Sequence, residues 1–247
     1  MASSRWRPLW MGKIRAMKVL RFFVLASVLV MGLPSLSWAA RPMITDDARL
    51  VDAKACQVES WVRRNRDSTE FWALPSCNFS GNLEITLGGT RTREGGRTET
   101  TDAVAQGKTL FRPLTTDSWG AGLALGTVGH PDGRRRDVYA YVPASFSYLR
   151  DRVVLHTNVG VTHFGERHRT HATWGLGSET QLASRTWLIA ETFSQGEGAP
   201  FHQVGLRHWI VPNHVQIDTT YGNRNGRGTQ ERWFSIGLRL LTPAFLP

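Results

Sequence analysis

The chain has 247 residues, enough for one large domain or two small ones. With 20% charged and 41% hydrophobic residues it is neither a disordered chain nor a bundle of membrane-spanning helices, and two cysteines exclude a disulfide scaffold. The formal charge of +10 is no argument for nucleic acid, because Arg5, Arg7, Lys13, Arg15, Lys18 and Arg21 lie in an acid-free leader, after which 24 basic residues face 20 acidic ones.

The leader reads as an export signal. Lys18 and Arg21 give a positive start, Phe22 to Leu33 an apolar run of 12, and Pro34 breaks it. Ser37, Trp38 and Ala39 then offer small residues at the −3 and −1 positions of a cleavage site. A run that short is no transmembrane anchor. The expectation is a signal peptide at 1–39, with 1–16 upstream of a true start at Met17. A periplasmic N-terminal segment at 40–55 and a barrel at 56–247 follow.

Beyond residue 55 the apolar residues recur at every second position, which is the strand period. Twelve such runs are read: 56–64, 70–79, 82–92, 99–112, 117–128, 136–149, 152–163, 170–183, 185–196, 201–212, 214–222 and 231–241. In the last, Phe234, Ile236, Leu238 and Leu240 share one face, and Ser235, Gly237 and Arg239 the other. The connections after the second, fourth, sixth, eighth and tenth runs are short. Those after the third, fifth, seventh, ninth and eleventh (REGGRT, GHPDGRR, FGERHR, EGAP, NRNGRGTQ) are mostly longer and polar. This asymmetry and the even strand count predict an all-β fold, an antiparallel transmembrane β-barrel of about 12 strands. A secreted sandwich or lipocalin-like barrel would also alternate, but it needs its apolar face inside. Here the opposite face carries Glu59, Glu84, Lys108, Asp137, Glu179, Arg207, Asp218 and Arg239. An ionised interior inside an apolar exterior fits lipid.

Turn centres predict registers. A turn centred between Arg66 and Asp67 sets Cys56 against Cys77, Trp61 against Trp72 and Arg63 against Glu70, three favourable pairs at once. A turn at Arg150 and Asp151 sets Val142 against Val159 and Ser145 against His156. A turn at Pro212 and Asn213 sets Arg207 against Asp218. In an exported chain the cysteine pair points to a bridge between Cys56 and Cys77; two buried free thiols are the alternative.

The opening Arg41-Pro42-Met43-Ile44-Thr45-Asp46-Asp47-Ala48, followed by an alternating strand, resembles the MetA-pathway of phenol degradation family. That resemblance implies an outer-membrane, porin-like or transporter-like barrel linked to uptake of aromatic compounds, with an acidic residue on a late strand, here Asp218. The chain departs from the usual barrel ending on an aromatic residue: it closes on Phe245, Leu246 and Pro247.

Four constellations bear on chemistry. Glu191, Arg207, Asp218 and Arg239 form an expected charge cluster in the lumen that sets or closes an ionic passage, or only braces the wall. His163, Glu166, His168 and His171 crowd one loop, but without a rigid scaffold they read as a solvated loop and no metal is assigned. Ser145 with His156 is the best pair for a lipid hydrolase, yet no acid is evident to orient the histidine, and catalysis is not assigned. Arginines in the loops (Arg134, Arg135 and Arg136, Arg167 with Arg169, Arg224 with Arg227) suit lipopolysaccharide phosphates. The sequence reading is therefore a bacterial outer-membrane barrel for porin-like passage or uptake of a small solute, which the family resemblance implies is aromatic. Its alternative is a structural or adhesive barrel with a plugged lumen. Expected partners are outer-membrane lipid, lipopolysaccharide, the barrel assembly machinery and the solute, with no cofactor and no nucleic acid.

Overall fold

The computed structural model describes residues 43–131 and 136–247. The leader at 1–39, the start of the opening motif, Arg134 and Arg135 lie outside the described residues. Twelve strands follow in chain order. The first six are β1 (Cys56–Arg64), β2 (Ser68–Asn78), β3 (Glu84–Glu94), β4 (Arg97–Arg112), β5 (Trp119–Gly129) and β6 (Arg136–Tyr148). The rest are β7 (Val153–Phe164), β8 (Arg169–Ala183), β9 (Thr186–Ser194), β10 (Phe201–Val211), β11 (Val215–Arg224) and β12 (Trp233–Leu241).

Each strand pairs antiparallel with its sequence neighbour, and β1 closes on β12 with Val58 opposite Leu240 and Val62 opposite Ile236. Closure leaves no sheet edge, so the backbone can sit in hydrocarbon without unpaired polar groups. The expected registers are those observed. Cys56 faces Cys77, Ser145 faces His156 and Arg207 faces Asp218. Cys56 and Cys77 are disulfide-bonded. Trp61 and Trp72 stack at 5.2 Å between ring centroids, worth about 0.5–1.5 kcal/mol beyond buried area.

The period-2 pattern has been turned inside out relative to a soluble barrel. Val159 is 68% exposed while its near neighbour His156 is 1% exposed. Outward faces carry Leu87, Leu125, Val204, Leu206, Ile236 and Leu238; inward faces bury Glu59, Lys108, Glu179, Arg207 and Asp218. The direction is energetically fixed, since an Arg on a lipid-facing surface at the bilayer midplane costs about 2–4 kcal/mol.

The loop asymmetry is smaller than the sequence suggested. REGGRT is no loop: β3 and β4 pair as far as Glu94 opposite Arg97, leaving only Gly95 and Gly96 as the turn. Both glycines adopt positive φ (55° and 84°), as a tight hairpin turn requires. The longest connection, 225–232, does lie at the end away from the chain termini. The end holding the termini is periplasmic in barrels of this kind.

The second difference concerns the segment before β1. The sequence reading leaves 40–55 outside the barrel. Residues 43–51 instead run among the inward side chains, with Met43, Thr45, Asp46, Asp47, Ala48 and Val51 all buried. An aperiodic segment gives no sign of this, because its place is set by hydrogen bonds to strands distant in sequence.

Candidate functional site

The segment at 43–51 forms a strap across the lumen, and its backbone is gripped by side chains from five strands. Ile44 and Thr45 donate their N–H groups to the two carboxylate oxygens of Glu191 on β9, each at 2.7 Å. Asp46 N–H donates to Asn158 Oδ1 on β7 (2.7 Å), and Asn158 Nδ2 returns a bond to the Asp46 carbonyl (2.9 Å). Ala48 N–H donates to Ser145 Oγ on β6 (2.8 Å) and Val51 N–H to Glu84 Oε2 on β3 (2.7 Å). Asn78 on β2 donates to the Val51 carbonyl at 2.8 Å. Buried backbone groups must be paired, so the strap can lie inside only because the wall supplies these partners.

Side chains add a charged anchor. Lys108 Nζ on β4 lies 3.0 Å from both oxygens of Asp46 and 3.8 Å from Asp47 Oδ1. The Tyr141 hydroxyl donates to Asp46 Oδ2 at 2.9 Å. Room for the strap comes from β8, where a Cβ on Gly175 would fall 2.5 Å from Thr45 Oγ1. The Thr-Asp-Asp-Ala core of the opening motif is thus the part of the strap that the lumen holds.

Beside the strap lies a cavity of about 140 Å³. Trp72, Tyr139, Tyr141, Phe164 and Phe193 contribute its aromatic wall, Gln106 and Thr162 polar groups. Tyr139 donates to Gln106 Oε1 at 2.9 Å and stacks near Tyr141 at 6.1 Å. Its ring occupies the space where a Cβ on Gly126 would stand, 2.3 Å from the ring carbon. The absence of a side chain at Gly126 on β5 is what gives this tyrosine its room.

The expected charge cluster divides. Arg207 Nε lies 3.0 Å from Asp218 Oδ1, and Gln216 supports Asp218 at 3.1–3.2 Å. Arg207 also bonds Glu179 on β8, a member the sequence reading did not place there. Glu191 is elsewhere: β9 sets Trp187 opposite Arg207 and Glu191 opposite Gln203, four residues further along. That is about 13 Å at the rise of a strand. Arg239 pairs instead with Gln57 (2.8 Å) and Glu59 (3.4 Å) on β1.

Glu179 also supplies the acid that the sequence did not reveal beside Ser145 and His156. Ser145 Oγ lies 2.8 Å from His156 Nδ1, and His156 Nε2 lies 3.3 Å from Glu179 Oε1. The missing signal was the β7 to β8 register, which sets His156 opposite Gly177 and brings Glu179 to the diagonal two residues on. Ser145 is fully buried, and its oxygen already accepts the Ala48 N–H.

The loop histidines do not converge. His163 bonds Thr170 (3.0 Å), His171 faces Glu197 (3.2 Å), and among the described residues no group of three or more metal-ligating side chains could hold an ion. The loop arginines meet carboxylates: Arg167 and Arg169 meet Glu197, and Arg224 and Arg227 meet Glu231.

The chain matches the family described as uncharacterised conserved protein UCP029691 over residues 28–241. No curated protein matches it. Among solved structures the fold is similar to an outer membrane channel, COG4313, from Pseudomonas putida F1 (TM-score 0.58, 10% identity, 79% of this chain and 97% of that one). It is also similar to the KdgM porin (TM-score 0.57, 8% identity, 74% and 98%) and the NanC porin (TM-score 0.56, 12% identity, 75% and 98%). At these identities the likeness is one of fold: a closed, twelve-stranded antiparallel barrel of the outer-membrane porin type.

Proposed function

We propose, from the premise that the chain belongs to the UCP029691 family and folds as a porin-type barrel, that it passes a small solute across a bacterial outer membrane. The observation that carries this reading is the cavity of about 140 Å³ beside a strap held mainly through backbone hydrogen bonds. Exchanged for water, such bonds cost a net of about 0.5–1.5 kcal/mol each where the partner is neutral and about 1.5–3 kcal/mol where it is a carboxylate, so the strap can shift at the expense of its own anchors while the sheet hydrogen bonds of the wall stay intact. The aromatic lining, with the likeness of the opening motif to the MetA-pathway family, supports a ring-bearing solute. Export by cleavage near Ala39 or Ala40, insertion by the barrel assembly machinery, and contact of the exposed Arg169 and Arg227 with lipopolysaccharide phosphates complete the reading.

The dense anchoring of the strap favours one second reading, a structural barrel with a permanently plugged lumen. The run Ser145, His156 and Glu179 has the order of a nucleophile, base and acid, yet a serine buried beneath Ala48 serves as a strap anchor. Planar-bilayer recordings separate the two readings. Ohmic steps that grow when the strap is loosened support passage. Silence from wild type and loosened variants alike means a plugged barrel.

A further inference from the structure

We propose that Arg64, Arg91 and Arg93 form a docking surface on the outside of the wall for the phosphate-bearing headgroup of lipopolysaccharide. This rests on the outer-membrane reading and deepens it, placing the principal lipid contact on one flank of the wall rather than in the loops. Cross-strand pairing fixes the geometry. Arg64 on β1 stands opposite Thr69 on β2, Thr69 opposite Arg93 on β3, and Arg93 opposite Thr98 on β4. One row nearer the membrane, Val62, Phe71, Arg91 and Thr100 follow one another in the same way. Paired residues share a face, and Val62 and Phe71 are exposed while Arg63 between the rows is buried, so both rows point away from the lumen. Arg91 and Arg93 start about 7 Å apart along β3, and Arg64 stands two strands away, about 10 Å. The hydroxyl of Thr69 lies between them and accepts from Arg64 Nη1 at 2.7 Å.

The acids of these strands are turned elsewhere. Glu70 faces inwards to Arg63, Asp67 meets Arg66 in the turn, and Glu94 and Glu99 lie on the other face, opposite Arg97 and Thr92. Among the described residues no carboxylate pairs with Arg64, Arg91 or Arg93. The loop arginines, by contrast, share theirs: Arg169 meets Glu197, and Arg227 meets Glu231. Three like charges this close repel one another, and a phosphate relieves that by accepting paired hydrogen bonds from each guanidinium group. The level of the patch selects a lipid. Its rows continue on β12 into Ile236 and Phe234, both exposed on the apolar face. The cost of an outward arginine is high at the bilayer midplane and falls towards the interface, so arginines on these rows mark headgroup level. The strands reach that level at the end away from the chain termini, which is the outer face. A lipid with phosphates above and acyl chains below fits the arginines and the apolar residues together, and in the outer leaflet that lipid is lipopolysaccharide.

The test titrates the refolded full chain in detergent with purified lipopolysaccharide, the same lipid dephosphorylated, and phosphatidylglycerol, with folding checked by heat-modifiable migration. Wild type should bind intact lipopolysaccharide at least about tenfold more tightly than either other lipid, the scale of one or two charge-assisted bonds. The triple variant Arg64→Gln, Arg91→Gln, Arg93→Gln should lose about tenfold in affinity for it. The loop variant Arg169→Gln, Arg227→Gln should lose less than about threefold, since exposed, already paired arginines contribute little. A triple variant that binds as wild type does, or a loop variant that loses more than the triple, overturns this site and leaves lipopolysaccharide contact standing. Wild type that binds the dephosphorylated lipid or phosphatidylglycerol as tightly as intact lipopolysaccharide overturns phosphate docking altogether. If the triple variant does not fold, the wild-type comparison of the three lipids and the loop variant still decide. Conductance plays no part in the readout, so a silent barrel that binds lipopolysaccharide removes the passage reading and supports this one.

Discussion

Two buried cations in one lumen do different work. Arg207 sits between Glu179 and Asp218, so its partners come from β8 and β11 and all three are wall residues. Lys108 sits on the wall too, but Asp46 and Asp47 come from the strap. The first cluster can be broken only by deforming the barrel. The second can be broken by moving a segment that no sheet hydrogen bond ties down between residues 43 and 51. One arrangement braces; the other latches.

The largest effect should follow loss of the brace. Arg207→Met leaves two buried carboxylates without their cation, a loss of about 3–5 kcal/mol. It should be read as a lower temperature for the heat-modifiable gel shift, with no gain in conductance. Asp218→Asn should likewise lower heat stability and leave the reversal potential unchanged. A shift towards anion selectivity would instead make this cluster part of the conducting path.

Next comes the bridge between Cys56 and Cys77, also a wall feature, which closes a loop of sequence separation 21. Cys77→Ser should cost roughly 3 kcal/mol in the chain-entropy model, again without opening the lumen. Thiol labelling of unreduced, denatured wild type should find no free cysteine.

On the latch side, Gly175→Val places a side chain where Thr45 stands, at a cost of about 1–3 kcal/mol. Its signature is the reverse of the brace: a small loss of heat stability and a clear rise in bilayer conductance. If Arg207→Met opens the lumen as much as Gly175→Val does, brace and latch are not distinct. The smallest effect belongs to Ser145→Ala, which removes the acceptor of the Ala48 N–H and should cost about 1 kcal/mol. A labelled ester should be hydrolysed no faster by wild type than by Ser145→Ala; a serine-dependent rate would revive the catalytic reading of Ser145, His156 and Glu179.

The sequence by itself determined the wall. A strand buries one face and shows the other, so a period of two in Phe234, Ile236, Leu238 and Leu240 writes the lipid face directly into the chain. Short turns convert position into register, which is why Cys56 meets Cys77 and Arg207 meets Asp218 as counted from the turn centres. Hairpin partners were legible because they are near in sequence. What crosses the lumen was not. Glu191 grips Ile44 and Thr45 from 147 and 146 residues away, and Lys108 finds Asp46 across 62. The REGGRT turn was misjudged for a related reason, since polarity marked it as a loop while two positive-φ glycines allowed the strands to run on. Periodicity and turn chemistry are local, so they fix which face a residue shows. Which residues meet across the interior depends on barrel closure, curvature and an unpatterned segment seeking partners for its buried amides, and only the tertiary structure decided that.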